Sequence, residues 1–211
     1  MEDKILYHMR KEYSPIPIST EMMMQTPFLQ FEKWFEDAKE FENQEANAMI
    51  LSTCSNGGNP SSRVVLLKRY SGEGFVFFTN YLSRKGEELE ANHRASLLFY
   101  WPQTMRQIRI EGEVSKVSSA ESDEYFLSRP RESRASAILS MQSRPLEDKE
   151  TFDIEVKRLS ENGELIRPEN WGGYILKPEY FEFWQGAVSR THDRFAYEPT
   201  NNGWKITRLY P

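Results

Sequence analysis

Four short stretches of this 211-residue sequence concentrate residue types that grip anions or handle protons. In Arg63-Val-Val-Leu-Leu-Lys68 two cations bracket four apolar residues. Their odd separation points them to opposite faces of a regular strand, hence to different partners unless a bulge intervenes. Phe78-Thr79-Asn80 ends an apolar run, and Ser83-Arg84-Lys85 opens a helical one. Free backbone N–H groups, a hydroxyl and two cations at a helix start suit a phosphate. Tyr125-Phe-Leu-Ser-Arg129-Pro-Arg131-Glu-Ser133-Arg134 sets three Arg within six residues beside a helix-stopping proline. Planar guanidinium forks bind phosphate oxygens well, so this is a candidate second anion site. Finally, Phe183-Trp184-Gln185-Gly186 leads into Arg190-Thr-His192-Asp193-Arg194. If that segment is extended, Arg190, His192 and Arg194 share one face and Asp193 points away. Each stretch alone also suits an ordinary capped helix or the solvated ends of a strand.

Other chemistries find little support. The histidines are His8, His93 and His192, with no helical pair, and Cys54 is the single cysteine, so no metal centre and no internal disulfide are expected. No Gly-x-Ser-x-Gly elbow, P-loop or Gly-x-Gly-x-x-Gly fingerprint occurs. The net charge of −5, without a basic block, argues against a general nucleic-acid role. No apolar run approaches the roughly 18 residues that span a membrane, and the start, Met-Glu-Asp-Lys, lacks a leader pattern, so a cytoplasmic location is expected. Apolar residues reach only 38%, so the 13 Phe, 10 Tyr and 5 Trp must supply much of the buried area, and dimerisation would enlarge a lean core.

The elements that must position these residues read as a mainly β chain with peripheral helices, an α+β class. A frayed helix is expected over residues 4–13. Thr26 as N-cap and Pro27 at the first position open a helix whose Phe28, Phe31, Trp34, Phe35, Ala38 and Phe41 form one aromatic face. Strands are expected over 48–54, 61–70, 75–79, 94–101, 105–117, 173–177, 180–185 and 204–209. Asn201-Asn-Gly203 reads as a hairpin turn. Helices are expected from a capping box at Ser118-Ser-Ala-Glu121, then over 132–139 and 146–159. Such spacing suggests an antiparallel sheet closing toward a barrel.

As an ordered set these pieces resemble one family, the pyridoxamine (pyridoxine) 5′-phosphate oxidases, FMN enzymes of vitamin B6 metabolism. The likeness runs through Arg63 to Lys68, Phe77-Phe-Thr-Asn80, Ser83-Arg-Lys85, Arg106-Gln107, Tyr125-Phe126, Ser128-Arg-Pro-Arg131, Gln142-Ser143, Trp171-Gly-Gly173, Phe183-Trp-Gln-Gly186, Arg190-x-His-Asp-Arg194 and Trp204-Lys-Ile. It implies an FMN-binding split β-barrel, residues 26–211 as a single domain after a mobile segment over 1–25, and a homodimer with two sites at the subunit interface. The resemblance assigns FMN to Arg63, Lys68, Phe78, Thr79, Arg84, Lys85, Gln107, Gln142, Ser143, Trp184 and Arg194. It assigns the substrate phosphate to Lys68, Tyr125, Arg129 and Ser133, and the substrate ring to Arg190 and His192 as the catalytic pair. Arg10, Lys11, Glu12 and Tyr13 resemble the segment that covers the substrate.

The implied reaction oxidises pyridoxamine or pyridoxine 5′-phosphate to pyridoxal 5′-phosphate, with O2 reduced to H2O2. Ala187, Thr191 and the pair Val188-Ser189 depart from the family pattern and leave fine substrate preference open. Two alternatives stand beside this reading. One is a related flavin oxidase acting on another small molecule, such as the phenazine-forming enzymes; the other is a non-catalytic flavin or pyridoxal-phosphate binding protein.

Overall fold

The computed structural model describes residues 17–42 and 45–211. The helix expected over 4–13 and the covering segment, residues 10–13, lie outside the described residues. The chain forms two compact units. The first holds the described residues up to Ala46 with Leu98–Ile110 and Tyr180–Pro211; the second holds Asn47–Leu97 and Glu111–Glu179.

Helix α1 (Pro27–Phe41) anchors the first unit. Thr26 is its N-cap, accepting from the Leu29 N–H at 3.3 Å, and Pro27 occupies a position where the missing donor costs nothing. The aromatic face then packs edge to face: Phe31 on Phe99 (5.2 Å), Trp34 on Phe183 (5.3 Å) and Phe28 on Phe181 (5.4 Å). Phe31 is fully buried, and truncating it to Ala would cost about 3–5 kcal/mol. Phe41, read as the last residue of that face, is exposed. The Trp101 indole N–H closes the helix exit by donating to Ala46 O at 3.0 Å.

The strands are β1 (Ala48–Cys54), β2 (Pro60–Leu66), β3 (Arg69–Ser71), β4 (Gly74–Asn80), β5 (Arg94–Trp101), β6 (Arg106–Lys116), β7 (Trp171–Gln185), β8 (Asp193–Thr200) and β9 (Gly203–Leu209). Hydrogen bonding orders them β2-β1-β5-β6-β7-β4-β3, with β8 on β7 and β9 on β8, and β5, β6 and β7 contribute residues to both units. The pairs β1/β2, β3/β4, β4/β7, β7/β8 and β8/β9 are antiparallel, and short connections join all of them except β4/β7. The hairpin expected at Asn201-Asn-Gly203 joins β8 to β9, with Gly203 at φ +130°.

Helices α2 (Arg84–Ala91), α3 (Ser119–Ser128), α4 (Arg131–Leu139) and α5 (Lys149–Asn162) belong to the second unit. Ser118 caps α3 by accepting from the Glu121 N–H at 3.1 Å, as the sequence suggested. Three expectations are corrected. The strand read over 61–70 is broken at Leu67 and Lys68, because the ladder with β1 ends at the Ala48 and Leu66 pair. The two strands read on either side of Pro178 are one, β7. The segment Asp193–Thr200 is a strand that the sequence did not reveal.

Candidate active site

In the second unit, the end of β4 and the start of α2 build one cluster. Ser83 caps α2: its hydroxyl donates to Asn80 O at 2.6 Å and accepts from the Gly86 N–H at 3.4 Å. A distant loop is clasped there. Asn80 Nδ2 donates to Ser140 O (3.2 Å), the Arg84 N–H to Ser143 Oγ (3.2 Å) and Lys85 Nζ to Gln142 Oε1 (2.8 Å). Lys85 Nζ also reaches Thr79 Oγ1 at 3.2 Å and Ser83 Oγ at 3.3 Å, all neutral oxygens. Burial, then the Arg63 charge, bring its pKa down to about 8 against the pull of Glu88.

Arg63 approaches from β2, where it pairs with Leu51. Its guanidinium donates to Leu51 O (3.1 Å), Thr53 Oγ1 (2.5 Å) and Ser61 Oγ, and lies 3.3 Å from a Glu88 oxygen. Burial pushes the guanidinium pKa down and Glu88 opposes that. The expected residues Arg63, Thr79, Arg84, Lys85, Gln142 and Ser143 are therefore brought together.

A second cluster in the same unit is an aromatic stack between cations. Phe78 stacks on Tyr125 of α3 at 4.0 Å and on Trp171 of β7 at 5.7 Å. Gly173 makes the stack possible, because a Cβ there would stand 2.7 Å from the Phe78 ring. Lys68 Nζ lies 5.8 Å over Tyr125, and the Arg129 guanidinium 4.8 Å over Trp171. Lys68, Phe78, Tyr125 and Ser128 line a cavity of about 610 Å3. Arg129 Nη1 is buried with no acceptor among the described residues, and burial pushes the Arg129 pKa down. Ser133 stands half-buried in the first turn of α4. Arg131, part of the three-arginine run, is spent structurally: it donates to Ser160 O (2.6 Å) and Gly163 O (3.1 Å), carbonyls at the end of α5.

The strand break explains Lys68. Opposite faces for Arg63 and Lys68 require an unbroken strand, whereas Lys68 sits in the gap between β2 and β3, its N–H donating to Val76 O at 2.9 Å.

In the first unit, Trp184 on β7 is half-buried with its ring 4.6 Å from that of His192. The extended reading of 190–194 is corrected: Val188–Arg190 forms a 3-10 turn with Ser189 at φ +52° and Arg190 at φ +60°. Strand alternation starts only at Asp193, so Arg190 leaves the shared face and lies exposed before the strand. The Ala187 N–H donates to His192 Nδ1 at 3.1 Å, so the neutral ring carries its proton on Nε2. Burial and the neighbouring Arg190 hold the His192 pKa below its usual value. Asp193 is buried, accepting from the Ile18 N–H at 3.0 Å and from Arg208. Arg194 donates to Glu182 Oε1 (2.9 Å) and Tyr210 O (3.0 Å), while Arg109 holds the other Glu182 oxygen at 2.9 Å. Gln107 lies half-buried on β6, next to Arg106, whose guanidinium stacks 4.6 Å over Trp34.

Two carboxylates escaped sequence reasoning, Glu88 and Glu182. Glu88 lies four residues after Arg84, which is a signal for a helical ion pair. Glu182 alternates with Phe181 and Phe183, a pattern that carries no local signal of its burial.

Residues 35–163 match the family described as pyridoxamine 5′-phosphate oxidase, and residues 171–211 match the pyridoxine 5′-phosphate oxidase C-terminal dimerisation region. A pyridoxine/pyridoxamine 5′-phosphate oxidase of Bordetella pertussis is 51% identical over 205 residues, covering 96% of this chain and 98% of its own. One from a Nostoc species is 45% identical over 213 residues, covering 99% of this chain and all of its own. Among solved structures, PhzG from Burkholderia lata, in complex with tetrahydrophenazine-1-carboxylic acid, is 31% identical with a TM-score of 0.86, covering 94% of this chain and all of its own. A pyridoxamine 5′-phosphate oxidase-related, FMN-binding protein from Nostoc punctiforme is 15% identical with a TM-score of 0.71, covering 90% of this chain and all of its own, a likeness of fold. The architecture is thus the α+β split barrel, and the chain belongs to the pyridoxamine 5′-phosphate oxidase family.

Proposed function

We propose that this protein is an FMN-dependent oxidase that converts pyridoxamine or pyridoxine 5′-phosphate to pyridoxal 5′-phosphate, with O2 as electron acceptor and H2O2 as product. The observation that carries the reading is the pair of separate cationic clusters in one unit, one for each phosphate that the reaction brings together. The donor set fits FMN: Arg63, Arg84, Lys85, the Thr79 and Ser143 hydroxyls and the capped start of α2 all favour an anionic tail. Lys68, Tyr125, Arg129 and Ser133 would take the substrate phosphate. The buried Nη1 of Arg129 supports this, since an unsatisfied donor costs about 1–3 kcal/mol and an incoming phosphate oxygen would remove that cost.

Bound FMN would supply the acceptor for a hydride from the substrate carbon bearing the amine or hydroxyl, and would pass the electrons to O2; the oxidised amine would then take up water and release ammonia to give the aldehyde. The protein's part is orientation and charge. The family resemblance assigns Phe78, Gln107, Gln142, Trp184 and Arg194 to the flavin, Arg190 and His192 to the substrate ring, and residues 10–13 to the segment that would cover it. His192 presents a proton on Nε2, because Nδ1 already accepts from Ala187. The match of residues 171–211 to a dimerisation region supports a homodimer.

The likeness to PhzG favours a second reading, a flavin oxidase of another ring compound. Oxygen uptake by FMN-loaded protein separates the two. Turnover of pyridoxamine or pyridoxine 5′-phosphate, with little on the unphosphorylated vitamers, supports the first reading. Equal turnover without the phosphate would favour the second. A colourless protein that added FMN cannot restore would end both.

A further inference from the structure

Glu88 belongs to none of the roles above, yet it sits at the centre of the first cluster. It is 6% exposed, one helical turn after Arg84. One oxygen accepts from Arg84 Nε at 2.9 Å; the other accepts the Thr53 and Ser61 hydroxyls and faces Arg63 Nη2 at 3.3 Å. Burial alone would raise its carboxyl pKa, but the Ser61, Thr53 and Arg84 donors and the charge of Arg63 outweigh burial and bring it to about 2. The side chain stays an anion at every pH at which a protein of this kind is handled.

An anion in a phosphate grip looks counterproductive. Three cations converge here, however, and each opposes the next: the charge of Arg63 disfavours that of Lys85, and the charge of Arg84 disfavours that of Arg63. With Glu88 the cluster carries two net positive charges, close to what a phosphate monoester needs at neutral pH. The carboxylate also fixes two long side chains that would otherwise have to be immobilised as the ligand binds.

We propose that Glu88 is a positioning residue for the phosphate grip, holding the Arg63 and Arg84 guanidiniums in place before the cofactor arrives. The inference rests on the FMN reading above. Removing the charge has two opposed effects. Net attraction for a phosphate rises, but Arg84, the partner that loses its carboxylate, is exposed to solvent and salt, which limits that gain to a few-fold. Freeing the Arg84 guanidinium and loosening that of Arg63, which keeps its bonds to Leu51 O, Thr53 and Ser61, costs roughly tenfold in affinity. Positioning therefore wins.

The test is fluorescence titration of apoprotein with FMN and with riboflavin, which lacks the phosphate. Glu88→Gln is expected to weaken FMN roughly tenfold and to leave riboflavin within about twofold. Combined with Arg84→Met, its effect on FMN should be less than additive, because the two share one interaction. Should Glu88→Gln fail to fold, Glu88→Asp carries the same comparison, with a smaller selective loss expected because the carboxylate is kept but withdrawn by one methylene. FMN binding unchanged or tighter in the variant that folds, or an equal loss of both flavins, would overturn the proposal. Wild-type protein that does not prefer FMN to riboflavin would overturn the FMN reading, and the inference with it.

Discussion

The start of α2 and the pairing of β7 with β8 both set arginines around a buried glutamate, Glu88 in one and Glu182 in the other, yet the backbone beside them is built differently. At α2 the machinery is local and conventional: a serine cap, a helical ion pair and a loop clasped by four hydrogen bonds. Before β8, Ser189 and Arg190 both adopt left-handed backbone, a conformation that costs of order 1 kcal/mol or more for each non-glycine residue. Apart from Ser143, itself at φ +73°, the proposed grip on an anionic tail is assembled from low-energy parts. The residues assigned to the reacting ring are displayed by strained backbone, which the well-packed β7 and β8 on either side hold in place.

That contrast predicts different failures at the two places. Arg190→Met should lower kcat/KM about a hundredfold while the purified protein keeps its flavin absorbance, because a ring-facing donor is lost and the tail grip is intact. Loss of FMN along with activity would erase the distinction.

Lys85→Met should do the reverse. Losing a charge-assisted contact of about 1.5–3 kcal/mol weakens FMN roughly ten- to a hundredfold, and saturating FMN should restore most of the turnover. Unchanged FMN affinity in a fluorescence titration would remove Lys85 from the grip.

The depressed pKa of Lys85 sharpens the comparison further. A phosphate favours the protonated amine, so FMN affinity should be flat from about pH 6.5 to 8 and fall by up to tenfold per unit above the pKa of about 8. Between about 8 and the unfolded value of 10.5 the unfolded chain holds more protons than the apo fold, so apoprotein stability contributed by this group rises with pH there. Opposite slopes for cofactor affinity and apoprotein stability are expected, and Lys85→Met should flatten both.

The smallest effect belongs to Arg131, which sits among the anion-binding candidates in sequence but ends α5 in the structure. Arg131→Ala should cost about 1–2 kcal/mol in urea unfolding and leave FMN affinity unchanged.

Much of the fold was legible because its signals are local. Thr26-Pro27, Ser83 and Ser118 announce helix starts through cap chemistry, and Asn201-Asn-Gly203 announces a hairpin through the φ that glycine supplies. The helix start itself could be read from Ser83-Arg84-Lys85, although that stretch alone suits an ordinary capped helix as well as the proposed grip. Gln142 and Ser143 could not, since they reach α2 from more than 50 residues away and nothing in their own neighbourhood marks the contact. The strand β8 was hidden because Asp193, Arg194 and Glu198 give it a polar outline, although Phe195 to Tyr197 are buried in register with β7. Glu88 and Glu182 stayed invisible for a related reason: burial of a carboxylate depends on which cations the tertiary fold delivers to it.

The gap at Leu67 and Lys68 turns one stretch of chain into a ruler. Arg63 and Lys68 belong to different clusters but are five residues apart, so their backbones are at most about 17 Å from each other. Adding or deleting one residue between them would reset that span and displace one cation from its cluster, uncoupling the two proposed anion seats.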